Sequence, residues 1–255
     1  MIFETHAHYD DEEFDQDREE LVSSLPEKGI KYAVNIGSNI ETSQSTLELT
    51  KKYSHIYGAV GVHPNETGEL NEDTFALLKK MAEEPKIVAI GEIGLDYHWK
   101  EPEPQIQKEW FDRQMSLAKE LKLPIVIHSR DAAKDTIDMM NGAGAKEIGG
   151  VVHCYSYSLE TAKIFLNMGF YLGIGGVVTF KNARKLKEVA EYVPLDRILL
   201  ETDCPYLAPE PFRGKRNSSL NIPYIVKEIA RIKNIDYETV TAVTMENGKA
   251  MYKIS

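Results

Sequence analysis

Short apolar segments of strand type alternate with segments of helical type eight times along this chain. The strand candidates are residues 2–6, 32–37, 56–62, 87–93, 124–128, 150–154, 171–177 and 198–202. Several of them are continuously apolar, which is typical of parallel strands that are buried on both faces. Eight β-then-α units within 255 residues predict an α/β protein with one (β/α)₈ (TIM) barrel spanning residues 1–255.

The segments between the strand candidates carry apolar residues at helical spacing. The helix candidates are residues 18–28, 40–53, 72–83, 105–121, 132–141, 159–167, 183–192, 222–233 and 237–251. Ser158 is expected to cap a helix, and Pro104 stands where a helix can begin. A doubly wound open sheet is the alternative fold, but it usually has fewer strands and often a glycine-rich first turn, which is missing after the first strand candidate.

The composition narrows the class of protein. The net charge of −10, from 30 Lys and Arg against 40 Asp and Glu, argues against a protein that coats nucleic acid electrostatically. This net charge is compatible with an enzyme that binds the end of a nucleic acid at one local site. The chain has two cysteines, no signal-peptide pattern and no apolar run of membrane length, so we expect a cytoplasmic protein without membrane association. No feature calls for an obligate protein partner.

Polar side chains follow the carboxyl ends of the strand candidates, where barrel enzymes build their active sites. They are His6 and His8, His63, Glu92, His128, His153 and Asp203. His6 and His8 are two residues apart on a strand, so both imidazoles point to the same face. Buried carboxylates such as Glu92 and Asp203 are costly without partners. Several carboxylates that face several imidazoles are best explained by bound metal.

The size of this set indicates more than one metal ion. Four of these five imidazoles with the two carboxylates are already too many ligands for one tetrahedral zinc with an open position. They suit two divalent ions that share a bridging carboxylate, the arrangement used in metal-assisted hydrolysis. Nitrogen and oxygen ligands without thiolate fit Zn²⁺, Mg²⁺ or Mn²⁺, and the sequence does not choose among the three.

At this point the chain resembles the TatD family of metal-dependent hydrolases, within the amidohydrolase-like barrel superfamily. The matching segments lie in order along essentially the whole chain: residues 6–8 with Asp10, then 61–64, 91–97, 124–130, 153–154, 201–206 and 213–217. One departure is Glu4, because the family usually has Asp before its Thr/Ser-His-x-His motif. We expect the Glu4 carboxylate to accept hydrogen bonds behind the metal ligands. Its side chain is longer than that of Asp, which could shift the residues that support the ligands.

The resemblance implies a role for each ligand. One ion would be bound by His6, His8 and Asp203, the other by His128 and His153, with Glu92 bridging the two. A metal-bound water would be the nucleophile, and Asp203 would orient it and accept its proton, so that Asp203 and Glu92 are the expected catalytic residues. Members of the family are Mg²⁺-dependent DNases with 3′→5′ exonuclease-type activity on DNA and sometimes RNA. The implied reaction is therefore hydrolysis of a phosphodiester at a nucleic acid end.

Other polar residues near the strand ends are candidates for substrate contact or for support of the ligands. The candidates for binding a phosphate-bearing substrate are His63, Arg130, Arg213, Lys215 and Arg216. The alternative for the basic loop is a solvated surface turn. Glu201 shares the face of Asp203 and is expected to support the ligands, unless it only forms an ion pair. His98 and Trp99 follow strand candidate four and could stack on a base.

Two other functions stay open. A barrel with the same metals could hydrolyse an amide, ester, lactone or phosphotriester of a small molecule, since fold and metals do not set the substrate. The basic residues at the rim favour a phosphodiester, because an uncharged amide would not require them. A non-enzymatic scaffold would be indicated by gaps in the ligand set, but all six ligand positions are occupied.

Overall fold

The computed structural model describes residues 1–254 as a nearly closed barrel of eight parallel strands with helices between them. The strands are β1 (Ile2–Ala7), β2 (Ile30–Ile36), β3 (Ile56–Val60), β4 (Ile87–Asp96), β5 (Ile125–Arg130), β6 (Gly150–Val152), β7 (Tyr171–Ile174) and β8 (Ile198–Leu200). Each strand pairs in parallel with the next strand along the chain. The predicted (β/α)₈ barrel is confirmed.

Ten α-helices lie within residues 1–254. They are α1 (Arg18–Ser24), α2 (Ile40–Lys52), α3 (Glu72–Ala82), α4 (Pro104–Leu121), α5 (Ala133–Gly142), α6 (Ala145–Ile148), α7 (Leu159–Asn167), α8 (Arg184–Tyr192), α9 (Ile222–Lys233) and α10 (Tyr237–Tyr252). Ser158 caps α7 by accepting from the Thr161 backbone N–H, and Pro104 is the first residue of α4, as predicted. In this described part of the chain, no helix is long and apolar enough to span a membrane.

The barrel closes between β1 and β8 through a buried carboxylate. The two strands meet at an isolated backbone bridge between Ala7 and Cys204. Below that bridge, the Glu4 carboxylate accepts hydrogen bonds from the Thr202 backbone N–H (3.0 Å), the Thr202 hydroxyl (2.6 Å) and the Ser219 hydroxyl (2.7 Å). Burial raises the pKa of Glu4 to about 7, although these donors oppose the rise. Side-chain hydrogen bonds thus replace part of the missing strand ladder.

Helix α10 packs across the same closure. Its Gly248 lies against the Phe3 ring, where a Cβ atom would come 2.5 Å from a ring carbon. The amide of Asn247 donates to the carbonyl oxygens of Leu195 and Ile198, each at 2.8 Å. The Tyr252 hydroxyl donates to the Thr5 carbonyl oxygen at 2.7 Å. The last helix therefore holds β1 and β8 in place, and with them the residues that follow both strands.

Five strands end earlier than the sequence predicts, among them β2 at Ile36 instead of residue 37 and β3 at Val60 instead of residue 62. β6 and β8 end at Val152 and Leu200, and the second backbone N–H after each end donates to a carboxylate instead of a neighbouring strand. The Cys154 N–H donates to Glu201, and the Thr202 N–H donates to Glu4. β7 ends at Ile174, since residues Gly176–Thr179 form a 3-10 turn. His153 and Asp203 therefore lie on loops directly after their strands.

In contrast, β4 runs three residues further than predicted, to Asp96. Gly94, Leu95 and Asp96 pair with residues 128–130 of β5. Gly94 has a φ of +146°, and a Cβ atom there would overlap the carbonyl oxygen of His128. Only glycine allows this close pairing, which carries β4 up to the level of the rim.

Two helical details also differ from the prediction. α1 ends at Ser24 instead of residue 28, and Pro26 follows, a residue without a backbone N–H to continue the helix. The short helix α6 lies between Gly144 and Gly149, both with positive φ, and its four residues are too few to show a helical period in the sequence.

We predict that Thr202→Val destabilises the barrel at its closure. The substitution removes a hydroxyl donor from the buried Glu4 carboxylate, so the free energy of unfolding should fall by about 1–3 kcal/mol. Urea denaturation followed by circular dichroism measures the change. Thr5→Val is the matched control, because its hydroxyl donates to the neutral Leu200 carbonyl of the same closure and its loss should cost less. An unchanged stability of Thr202→Val would contradict the assigned role of Glu4.

Candidate metal centre

Five histidines and three carboxylates converge at the carboxyl end of the barrel. They are His6 and His8 from β1 and the residues after it, His63 after β3, Glu92 and Asp96 on β4, His128 on β5, His153 after β6, and Asp203 after β8. Because all the strands are parallel, their carboxyl ends open at the same end of the barrel. The structure thus brings together every residue that the sequence predicts as a metal ligand.

Glu92 lies at the centre of this cluster and is only 4 % exposed. Its Oε1 lies 2.6 Å from His153 Nε2, 2.8 Å from His128 Nδ1 and 3.7 Å from His63 Nε2. Its Oε2 lies 3.4 Å from His6 Nε2 and 3.9 Å from His8 Nε2. The two carboxylate oxygens therefore divide the five histidines into two groups, on either side of one shared residue.

The first group also includes Asp203. Asp203 Oδ1 lies 3.3 Å from His8 Nε2 and 3.6 Å from His6 Nε2, and these three side chains can offer ligand atoms within 4.8 Å of one another. His8 Nδ1 lies 2.8 Å from the Ile36 carbonyl oxygen, a contact that leaves Nε2 for the centre. Asp203 has a φ of +57°, and its backbone N–H donates to the His6 carbonyl oxygen at 3.0 Å.

The second group contains one residue to which the sequence analysis gives another role. His63 is predicted as a substrate contact, but the structure places it with Glu92 and His128, with ligand atoms within 4.8 Å of one another. It therefore joins the candidate ligands. The other ring nitrogen of His128, Nε2, lies 3.0 Å from Asp96 Oδ2. A carboxylate behind an imidazole in this way orients the ring toward a metal.

Glu201 lies behind the imidazoles, where the sequence places a supporting residue. It is 1 % exposed, and burial raises its pKa to about 8, against the effect of nearby His153. Its carboxylate accepts from the Cys154 backbone N–H, and it can offer a ligand atom near those of His6 and His153. A Cβ at Gly173 would overlap the Glu201 carboxylate, so this glycine makes the room that Glu201 needs.

Two of the imidazoles carry charge at neutral pH in the metal-free centre. Burial lowers the pKa of His8, but the facing Asp203 and Glu92 outweigh burial and raise it to about 10. In the same way Asp96 and Glu92 raise the pKa of His128 to about 9. Burial also opposes the charge of Glu92, but the surrounding histidines hold its pKa well below the usual range. The carboxylates of the cluster are therefore charged acceptors.

Two further imidazoles, one in each group, are neutral, whereas the facing Glu92 outweighs burial and raises the pKa of His153. Burial lowers the pKa of His6 to about 4, with a further contribution from His153, and lowers that of His63 to about 3. The His6 and His153 rings stack with centroids 3.9 Å apart. Neutral imidazoles are the form in which histidine binds metal.

The residues fit a divalent cation. His6 Nε2 lies 3.1 Å from His8 Nε2, and His153 Nε2 lies 3.4 Å from His128 Nδ1. The two ring nitrogens of each pair therefore converge on a common position. Within residues 1–254, the buried Nδ1 atoms of His6 and His153 have no hydrogen-bond partner. This nitrogen and oxygen donor set is one that zinc, manganese and magnesium sites use.

The basic side chains that the sequence predicts to bind substrate differ from one another in their surroundings. Arg130 is the exposed last residue of β5, and Lys215 is exposed in the loop between β8 and α9. In that loop the Arg213 guanidinium lies over the Phe180 ring, 4.3 Å from its centroid. Arg216 instead forms a two-pronged ion pair with Asp17 (2.5 and 2.7 Å). Arg216 therefore has an ion-pair partner within residues 1–254, unlike the other cations of this loop, and its predicted contact with substrate stays a prediction.

The sequence analysis assigns no role to two residues that the structure ties to the centre. Asp96 has none because strand four is predicted to end at residue 93, although period-two alternation places Asp96 on the face of Glu92. Asn35 of β2 accepts from the Tyr9 N–H (2.6 Å) and donates to Asp10 (2.7 Å), which secures the segment after His8. Its one signal is a polar residue in an otherwise apolar strand.

Comparison with known proteins is consistent with this site. The family model described as TatD related DNase matches residues 3–253. The metal-dependent hydrolase YabD of Bacillus subtilis is 43% identical over 100% of both chains. The 3′-5′ ssDNA/RNA exonuclease TatD of Salmonella typhimurium is 30% identical, with 99% of each chain covered.

A solved structure agrees with the sequence matches. The crystal structure of YjjV, a TatD homolog from Escherichia coli, has a TM-score of 0.93 at 27% identity and covers 100% of this chain and 98% of that one. Family model, relatives and structure all match from one end of the barrel to the other. This chain belongs to the TatD family of metal-dependent hydrolases.

Proposed function

We propose that this chain is a divalent-metal-dependent nuclease that removes nucleotides from the 3′ end of single-stranded DNA, and also of RNA. The observation that carries the proposal is the arrangement around Glu92, whose two oxygens face two separate groups of imidazoles. Two cations that share a carboxylate are the usual centre for hydrolysis of a phosphodiester. The Salmonella relative named as an exonuclease supports this choice of substrate.

The proposal assigns the candidate ligands to two ions. One would be held by His6, His8 and Asp203, the other by His63, His128 and His153, with Glu92 between them. Such cations neutralise phosphate charge and make water acidic enough to ionise near neutral pH. The chain itself supplies the fixed positions, through the Ile36 carbonyl behind His8 and the Asp96 carboxylate behind His128.

Asp203 is the residue best placed to accept a proton. Its side chain is 16% exposed, more than that of any other carboxylate in the cluster, so the attacking water can reach it. Burial opposes its charge, but His8 and the other facing imidazoles hold its pKa below the usual range, so it is ionised at neutral pH. The left-handed backbone at Asp203 is rare for a residue with a side chain, and it directs the carboxylate toward His8.

Exposed cations around the centre suit a polyanionic substrate. Arg130, Arg213 and Lys215 lie on the loops and strand ends of the rim, and we assign them contacts to the phosphates of the bound strand. The chain as a whole carries a charge of −10, so this attraction has to be local.

We predict stepwise 3′ shortening of single-stranded DNA that depends on added metal. The test uses 5′-labelled and 3′-labelled oligonucleotides after chelation and readdition of Mg²⁺, Mn²⁺ or Zn²⁺. The 5′ label should show a ladder, and the 3′ label should appear at once in a mononucleotide. Asp203→Asn should lower the rate by about 10²–10⁴-fold, because it removes the general base. Glu92→Ala should abolish activity together with metal binding.

One result would overturn the nuclease assignment. It is the absence of cleavage with every metal while the purified protein still holds about two metal equivalents. The same protein should then be assayed on amide, ester, lactone and phosphotriester substrates, which the same metal chemistry can hydrolyse.

We predict that metal binding releases protons. His8 and His128, with pKa values of about 10 and 9 in the metal-free centre, are protonated at pH 7.5, and a cation has to displace those protons. Metal affinity should therefore rise with pH up to about 9–10 and fall as the solution becomes more acidic. Calorimetry at pH 7.5 in two buffers of different ionisation enthalpy counts the protons.

Two variants sharpen this measurement. His8→Asn should release one proton fewer and bind metal more weakly. His55→Gln is the matched control, because His55 precedes β3 at the other end of the barrel and bonds to the Val22 carbonyl. Equal heats in both buffers for the wild-type protein would contradict the protonated state of the metal-free site.

We predict that the two exposed cations of the loop between β8 and α9 bind substrate. Arg213→Ala combined with Lys215→Ala should raise KM for an oligonucleotide by roughly tenfold or more, because charge-assisted phosphate contacts are lost. The effect should shrink at high salt. Arg216→Ala is the control within the same loop, since its partner is Asp17, and it should leave KM near the wild-type value. An unchanged KM in the double variant would show that the loop does not contact substrate.

A further inference from the structure

The loop between β4 and α4 presents an exposed tryptophan next to the candidate metal centre. Trp99 is 56 % exposed, whereas the second tryptophan of the chain, Trp110, is 7 % exposed and lies in the core. Trp99 borders an open cleft of about 650 Å³, together with Asn65, His98, Lys100 and Glu101. A tryptophan left in water forfeits the large gain that its burial would bring. Its position beside the centre therefore suggests a ligand.

The Trp99 loop is tied to the centre by hydrogen bonds. The His98 backbone N–H donates to Asp96 Oδ1 at 2.9 Å, and the other oxygen of Asp96 lies 3.0 Å from His128 Nε2. The Gln107 side chain bonds both to Asp96 and to the Pro102 carbonyl oxygen, and so joins the two ends of the loop. The His98 ring meets the Trp99 ring edge to face, with centroids 5.0 Å apart. The backbone on both sides of Trp99 is thus anchored to β4 and α4.

The lining of the cleft also includes the side-chain amide of Asn65. Asn65 follows the candidate ligand His63, and its backbone N–H donates to His63 Nδ1 at 3.2 Å. Its side-chain oxygen is buried and has no hydrogen-bond partner within residues 1–254. Rotation of this amide would present it to a ligand in the cleft that Asn65 lines. The cleft therefore combines an aromatic face with a free hydrogen-bonding group.

The surroundings of Trp99 do not resemble a protein-docking surface. Its exposed neighbours along the chain, His98, Lys100 and Glu101, are polar, so Trp99 does not belong to an apolar stretch of the loop. A flat aromatic surface with a nearby cation suits a nucleobase with its phosphate, since every base has a π face that can stack. Lys100 supplies such a cation beside the ring.

We propose that Trp99 and Asn65 form a nucleobase subsite. The Trp99 ring stacks on an unpaired base of the strand whose end occupies the metal centre, and the Asn65 amide bonds to the edge of that base. This inference rests on the proposed nuclease function and supplies a structural reason for its preference for single strands. The base at this position has to be free of a complementary strand, because a base inside a duplex offers no open face for stacking.

The test measures binding separately from cleavage. A single-stranded phosphorothioate oligonucleotide, which resists hydrolysis, is titrated into the metal-loaded protein, and both its anisotropy and the tryptophan fluorescence are recorded. Binding should quench the wild-type fluorescence. Trp99→Ala should raise Kd about tenfold, and Trp99→Phe should restore most of the affinity without the quench. The same strand in a blunt duplex should bind Trp99→Ala and wild type equally.

Two controls separate stacking from a structural effect. Tyr192→Ala removes another aromatic ring, 52 % exposed at the end of α8, and should leave Kd unchanged. Hydrolysis of methyl 2,2,2-trifluoroethyl phosphate, which has no aromatic ring to stack, should proceed equally in Trp99→Ala and wild type. A loss on this small substrate as large as the loss on DNA would show that Trp99 only supports the fold of the loop, and would overturn the subsite.

The outcomes also distinguish the two proposals. If wild type shortens DNA but Trp99→Ala binds the oligonucleotide as well as wild type does, the subsite is wrong and the nuclease function stands. If wild type neither binds nor shortens any oligonucleotide, both proposals are overturned. Quenching in wild type together with weaker binding by Trp99→Ala supports the subsite.

Discussion

The candidate centre depends on one buried carboxylate, Glu92, and on the imidazoles that surround it. A charge with 4 % exposure is unstable in a protein interior unless opposite charges or hydrogen-bond donors face it. Here five histidines from four different segments of the chain approach its two oxygens. In the metal-free cluster the protonated histidines repel one another. Bound divalent cations would displace these protons and remove the repulsion between the imidazoles.

Two other carboxylates, those of Glu4 and Asp96, connect the centre by hydrogen bonds to the barrel closure and to the rim. Glu4 joins β1 to the segment after β8, so the two ends of the sheet bring His6 and Asp203 together. Asp96 connects His128 to the loop that carries Trp99. Barrel closure, ligand orientation and the rim are therefore linked by short hydrogen-bonded paths. A substitution at Thr202 or Asp96 acts on the centre without touching a metal or a substrate.

Much of the molecule could be predicted because alternation and strand ends are local properties. The barrel, the cap at Ser158 and the start of α4 at Pro104 follow from spacing and from residue type. The convergence of His6 and Asp203 follows from the rule that parallel strands place their carboxyl ends together. The role of Asp96 was missed because the pairing with β5 that extends β4 is a long-range contact. The ion pair of Arg216 could not be predicted because its partner, Asp17, lies 199 residues away along the chain.

The sequence by itself determined the architecture and the inventory of ligands, because periodicity dictates which side chains share a face. Only the tertiary structure decided how those ligands divide between the two oxygens of Glu92, and that His63 belongs to the second group. It also decided which cations stay free and where Trp99 lies relative to the centre. These properties are distances between residues far apart in sequence, and they are set by packing, by buried hydrogen bonds and by the closure of the barrel.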